Sequence, residues 1–168
     1  MNMTPRNLGL ILAVLALIAD QGSKLYLLYG AGFAAMAPGE AVPVLPFFNL
    51  VMDWNPGISY GLFPASSWIG TAALVIFSLG AIIGLGIWLW KLTSVSLGIG
   101  IGLIIGGAIG NVADRIVYGR VADFFHFYGF GYDWYVFNIA DVAITFGAIA
   151  IMYEVLKPEH PNPSEGGT

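Results

Sequence analysis

The chain has 168 residues, 58% of them hydrophobic and only 10% charged, with a mean hydropathy of +0.80 and a formal net charge of −4. A soluble domain carries roughly 25% charged residues, so this composition excludes one and points to an integral membrane protein. The absence of Cys removes a disulfide framework, a thiolate zinc site and a thiol nucleophile, and an acidic balance without a basic run gives nucleic acid nothing to bind.

A bilayer core of about 30 Å is crossed by about 20 apolar residues in a helix. Four stretches meet that requirement: 8–29, 68–90, 95–113 and 136–156. The first follows Arg6, runs without charge to Ala19, and then carries Asp20, Gln21, Ser23 and Lys24. A basic residue before an apolar run also describes a secretory signal peptide. Here no small-x-small cleavage site follows, and the segment continues past Lys24 into a second apolar patch. Asp20 and Lys24 stand at i and i+4 in acid-first order, which favours an ion pair; the plain reading is a buried pair that fixes helix packing.

The loop 30–67 holds no Lys or Arg. Its runs 42–45, 47–52 and 58–63 are short and β-like, punctuated by Pro and Gly, and their apolar character lays the loop on the membrane surface. The second span is uncharged. The third carries Gly98, Gly102, Gly106 and Gly110 along one face, which lets a neighbouring helix come close. At its far end Asn111, Asp114 and Arg115 stand at i, i+3 and i+4. Arg115 is open to three partners: Asp114, a peptide carbonyl or a lipid phosphate. The connection 114–135 contains Asp123 and aromatics (Phe124, Phe125, Phe127, Tyr128, Tyr132, Trp134, Tyr135) that read, with Trp54, Tyr60, Trp68 and Tyr118, as an interfacial belt. His126, alone among them, is a poor metal ligand. The fourth span begins with Asn138 and Asp141, and the polar tail 158–168 reads as disordered and cytoplasmic. Residues 1–157 read as one membrane domain.

With four spans, Arg6, Lys91 and Lys157 fall on one side, and Arg115 and Arg120 on the other. The bias of basic residues puts both termini in the cytoplasm and the loops 30–67 and 114–135 outside. Counting residues at about 1.5 Å each then brings nearly every ionisable group in or beside a span to one level, the outer edge of the bilayer. Ionisable groups at membrane depth are functional candidates. A close pair such as Asp123 and Asp141 tends to share one proton, which is the chemistry of water activation in aspartyl proteases. A proton- or ion-coupled transporter uses similar residues, but near the midplane and with internal repeats. A lipid-binding or assembly protein accounts for the Gly-rich helix and leaves the paired carboxylates unexplained.

Five blocks carry a resemblance: Asp20-Gln-Gly-Ser-Lys24, Asn55-Pro-Gly-Ile-Ser-Tyr-Gly-Leu-Phe63, Gly106-Gly-Ala-Ile-Gly-Asn-Val-Ala-Asp-Arg115, Val121-Ala-Asp-Phe124 and Phe137-Asn-Ile-Ala-Asp141. In order and spacing the chain resembles bacterial lipoprotein signal peptidase, also called signal peptidase II. Pro56 and Tyr60 depart from residues common in that family and touch neither Asp. The resemblance implies an all-α integral membrane protein of four transmembrane helices with a small periplasmic β-cradle, located in the bacterial inner membrane. It implies an aspartyl endopeptidase that needs no cofactor or metal and cuts diacylglyceryl-modified prolipoproteins just before the lipidated Cys. It implies Asp123 and Asp141 as the catalytic pair near the periplasmic face, with Asn55, Asn111, Arg115 and Asn138 contacting substrate. Asp20, Lys24, Asp114 and Gly107 support them. Membrane lipid and inhibitors of the globomycin type are the further partners implied.

Overall fold

The computed structural model describes residues 3–37, 39–57 and 68–157. The expected run 58–63, with Tyr60, and the tail 158–168 lie outside the described residues.

Among the described residues, four helices have the length and apolarity to cross a membrane. Helix α1 (Pro5–Leu25) begins where Thr4 accepts a hydrogen bond from the Asn7 amide at 3.2 Å, with Pro at its first position. It ends in one wide turn, Tyr26–Gly30. Helix α2 spans Trp68–Leu89. Helix α3 (Val95–Tyr118) starts on Ser94, whose hydroxyl accepts from the Leu97 amide, and stops at Gly119, held at φ 73°. It therefore runs five residues beyond the expected 113, and Asp114 and Arg115 belong to the helix. Helix α4 (Ile139–Leu156) starts three residues later than expected, because Asn138 caps it.

A four-stranded antiparallel sheet is built from two separate stretches, one between α1 and α2 and one between α3 and α4: β1 (Ala41–Leu45), β2 (Phe48–Asn55), β3 (Val121–Gly129) and β4 (Tyr132–Asp133), in that order. All-α is thus too narrow a description. Strands β1 and β2 occupy the runs expected at 42–45 and 47–52. Strand β3 lies where an aromatic connection was expected. Several of its rings pack rather than anchor. Phe124 is buried against Phe33, and Phe127 stacks on Phe47 and Phe137.

Helix α3 is the central element. A Cβ at Gly102 would strike the Gly9 carbonyl oxygen, and one at Gly106 the Ala13 carbonyl oxygen, so this face of α3 lies backbone to backbone against α1. On another face, a Cβ at Gly100 would come within 2.7 Å of the Gly147 oxygen, and one at Gly107 within 2.5 Å of the Ala140 oxygen, so α4 is equally close. Helix α2 sits at the periphery: 6% of its apolar window is buried, against 56% for α3. The ends away from the sheet are tied by the Arg6 guanidinium 4.5 Å over the Trp90 ring and by Ser94 donating to Glu154 at 2.8 Å.

Candidate active site

Alternation along β3 decides where Asp123 points. Ala122 and Phe124 enter an apolar cluster with Leu27, Leu28 and Phe33. Successive strand side chains face opposite ways, so Asp123 turns from that cluster toward α3 and α4. It is fully buried, and both of its oxygens are hydrogen-bonded. Asn55 Nδ2, from the end of β2, donates to Oδ2 at 2.9 Å, and Asn138 Nδ2 donates to Oδ1 at 2.5 Å.

Asp141 occupies the first turn of α4. Asn138 and Asp141 form a reciprocal cap: Asn138 Oδ1 accepts from the Asp141 amide at 3.0 Å, and the Asn138 amide donates to Asp141 Oδ2 at 3.3 Å. Asn111 Nδ2 donates to Asp141 Oδ1 at 2.9 Å. Asn138 therefore holds both carboxylates, one through its side chain and one through its backbone. Burial pushes the Asp123 carboxyl up from the ordinary 3.8 to about 7; the Asp141 charge adds to this, while donation from Asn55 and Asn138 opposes it.

The supporting residues converge from below. The Lys24 ammonium, 2% exposed, lies 2.9 Å from Asp20 and 2.8 Å from Asp114. Each of those carboxylates grips the backbone one residue before a member of the pair. Asp20 Oδ1 accepts from the Ala140 amide at 3.0 Å, and Asp114 Oδ2 accepts from the Ala122 amide at 3.1 Å. Gln21, not singled out from sequence, ties the two together: its Nε2 lies 3.0 Å from Asp20 Oδ2, 3.0 Å from Asp114 Oδ1 and 3.2 Å from the Gly110 oxygen. Its place one residue after Asp20 in a polar cluster was the available signal. Gly110 leaves the room that Asp20 fills, and Gly107 lets the first turn of α4 approach α3.

Arg115, half-buried, donates through Nη1 to the Asn111 carbonyl at 3.2 Å; among the described residues it forms no ion pair with Asp114, whose partner is Lys24. Its buried Nε has no hydrogen-bond partner among the described residues. Gly57, at φ 97°, presses on the guanidinium: a Cβ there would lie 3.0 Å from Nη2. Asn55 Oδ1 accepts from the Gly57 amide at 2.7 Å, so one side chain both reaches Asp123 and shapes the turn over Arg115. His126 lies away from this cluster, 3.5 Å from Asp133. All the candidate residues thus belong to one hydrogen-bonded constellation except Gly107, which serves it by close packing. Beside it a cavity of about 310 Å³, walled by Trp134, Tyr135, Phe137 and Phe146, reaches Asp141.

Residues 12–157 match the family described as signal peptidase (SPase) II. The chain belongs to that family. It is similar to the lipoprotein signal peptidase of Rhodopseudomonas palustris, with 49% identity over 92% of this chain and 94% of the relative. It is also similar to that of Methylobacterium radiotolerans, with 47% identity over 94% and 90%. A solved bacterial membrane enzyme, determined by the in meso method at 2.3 Å, shares 29% identity and superposes with a TM-score of 0.76 over 92% of this chain and 93% of that one. Signal peptidase II membership makes the chain a peptidase. The multi-pass architecture of four membrane-length helices with a small antiparallel sheet is shared with the solved membrane enzyme.

Proposed function

We propose that Asp123 and Asp141 are the catalytic pair of an aspartyl endopeptidase that removes signal peptides from diacylglyceryl-modified prolipoproteins, cutting just before the lipidated Cys. The observation that carries this reading is Asn138, which binds one carboxylate through its amide side chain and the other through its backbone. Two carboxyl groups held so cannot easily both ionise.

The surroundings support a division of roles. Asp141 sits in the first turn of α4, where the unpaired amides of a helix favour negative charge. It is the carboxylate that takes a proton from the attacking water. Asp123, fully buried and pushed up to about 7, keeps its proton and donates it to the developing oxyanion. Collapse of the tetrahedral intermediate breaks the C–N bond, and a proton passes to the leaving amine. The Arg115 Nε, without a hydrogen-bond partner among the described residues, supports a contact with a peptide carbonyl. Asn55, Asn111 and Asn138 hold the pair and line the substrate path.

This reading places the loops 30–67 and 114–135 and the sheet on the periplasmic face of the bacterial inner membrane, and both termini in the cytoplasm. A cut at that level meets a signal helix where it leaves the bilayer, with the acyl chains still in lipid. Inhibitors of the globomycin type are expected to occupy the same site.

The test uses purified protein and a diacylglyceryl-modified precursor. Asp123→Asn and Asp141→Asn should each remain folded and lose cleavage by about 10²–10⁴-fold or more. Near-normal processing by either variant removes that residue from the mechanism.

A further inference from the structure

We propose that the β3–β4 hairpin tip is a membrane wedge, with the Phe130 ring seated at the boundary between headgroups and acyl chains of the same bilayer that the helices cross. The inference rests on α1–α4 spanning that bilayer and does not depend on the assignment of the catalytic pair.

The turn itself is the first observation. Tyr128 pairs with Asp133 and Gly129 with Tyr132, so Phe130 and Gly131 form a two-residue loop with φ 53° and 81°. Such turns need positive φ at both central residues, which suits Asn-Gly. Here the first position is Phe, the one non-Gly residue with positive φ among the described residues. A bulky side chain is disfavoured in that conformation. Local rules are broken in this way where a side chain is wanted for something other than folding.

The second observation is where the ring goes. Phe130 is 105% exposed, the highest value among the large apolar residues. It contributes nothing to a core. Tyr132, Trp134 and Tyr135 beside it are exposed as well, and such rings favour the interface between water and hydrocarbon.

The third observation selects the occupant. Trp134 lines two neighbouring cavities. One, about 280 Å³, is bordered by Phe47, Phe127 and Phe130; the other, about 310 Å³, continues along α4 past Phe146. The aromatic surface of the tip is therefore continuous with the exposed apolar face of a helix of membrane-spanning length. No Lys or Arg occurs from 121 to 156, so the patch offers no salt bridge to an acidic protein. A bilayer fits a surface that is aromatic, continuous with a span and free of cations.

The absence of native Cys makes a direct test available. Phe130→Cys and, as a control, Glu40→Cys are labelled with an environment-sensitive fluorophore and reconstituted into phospholipid vesicles. Nitroxide-bearing lipids should quench the label at 130 more strongly than that at 40, while aqueous iodide does the reverse. Iodide quenching at 130 equal to that at 40 overturns the proposal, as does shielding of 130 from both quenchers. Phe130→Asn separates the wedge from folding. It should melt in detergent at or above the parent temperature, and process precursor several-fold more slowly in vesicles yet at the parent rate in micelles. Parent rates in both settings also overturn it. A parent enzyme that fails to cleave at all would count against the peptidase assignment and leave the quenching result untouched.

Discussion

Asn138 concentrates several functions in one side chain, which makes its removal informative. It caps α4 and bridges Asp123 to Asn111. Loss of an N-cap costs about 0.5–2 kcal/mol. Asn138→Ala should lower thermal stability by that modest amount while reducing cleavage far more, because both carboxylates lose their common partner. Melting in detergent and precursor cleavage read the two effects separately. Acid–base behaviour follows from burial of Asp123. Its proton-donating form is present below about 7, so cleavage should decline as pH rises through about 7. Stability carries the same sign. The folded carboxyl holds its proton above the ordinary value of 3.8, so stability falls as pH climbs from there to about 7 and then levels. Asp123→Asn should flatten that slope in pH-dependent melting curves. The two carboxylates stood out in the sequence because such groups beside an apolar span are rare, and the structure joins them through Asn138. The proposed division of roles was not legible there, since it depends on which of them faces the start of a helix and which is sealed in a strand.

Two elements are steered by one buried cation. Lys24 of α1 joins Asp20, which grips the start of α4, to Asp114, which grips the start of β3. The ammonium thus fixes the spacing of the segments that carry Asp141 and Asp123. Lys24→Met should cost about 3–5 kcal/mol, as removal of one member of a buried ion pair does. Adding Asp114→Asn should restore part of the melting temperature without restoring the cleavage rate. Sequence spacing showed the i, i+4 relation of Asp20 and Lys24. It could not show that Asp114 would complete a triad from α3, because that contact spans 90 residues of chain and depends on the glycine seam between α1 and α3. Strand β3 was missed for a related reason. Its mixture of buried Ala, Asp and Phe resembles an aromatic anchor until β2 pairs with it, placing Trp54 opposite Ala122.

Across the whole molecule, polar chemistry gathers at one end and packing at the other. The Arg6–Trp90 and Ser94–Glu154 contacts close the end away from the sheet. The proposed orientation makes that end cytoplasmic. In cells with a permeabilised outer envelope, a membrane-impermeant thiol reagent should label Glu40→Cys at once and Thr93→Cys only after lysis. The reverse pattern would invert the topology. Composition and hydropathy made the four spans plain, because hydrocarbon imposes a length requirement that no other solvent does. The aromatic belt was legible too, but not that β3 and β4 would carry it, nor that Phe130 would stand in a positive-φ turn at its tip.

The outlying position of α2 has an evolutionary corollary. A helix that leans on its companions along a single narrow strip, and meets greasy solvent everywhere else, is constrained in oiliness but hardly in wording. Most of its letters can drift between species without a matching change elsewhere. The glycine-lined heart of the bundle has no such latitude, since a methyl added at Gly98, Gly100, Gly102, Gly106 or Gly107 collides with a neighbouring helix's main chain.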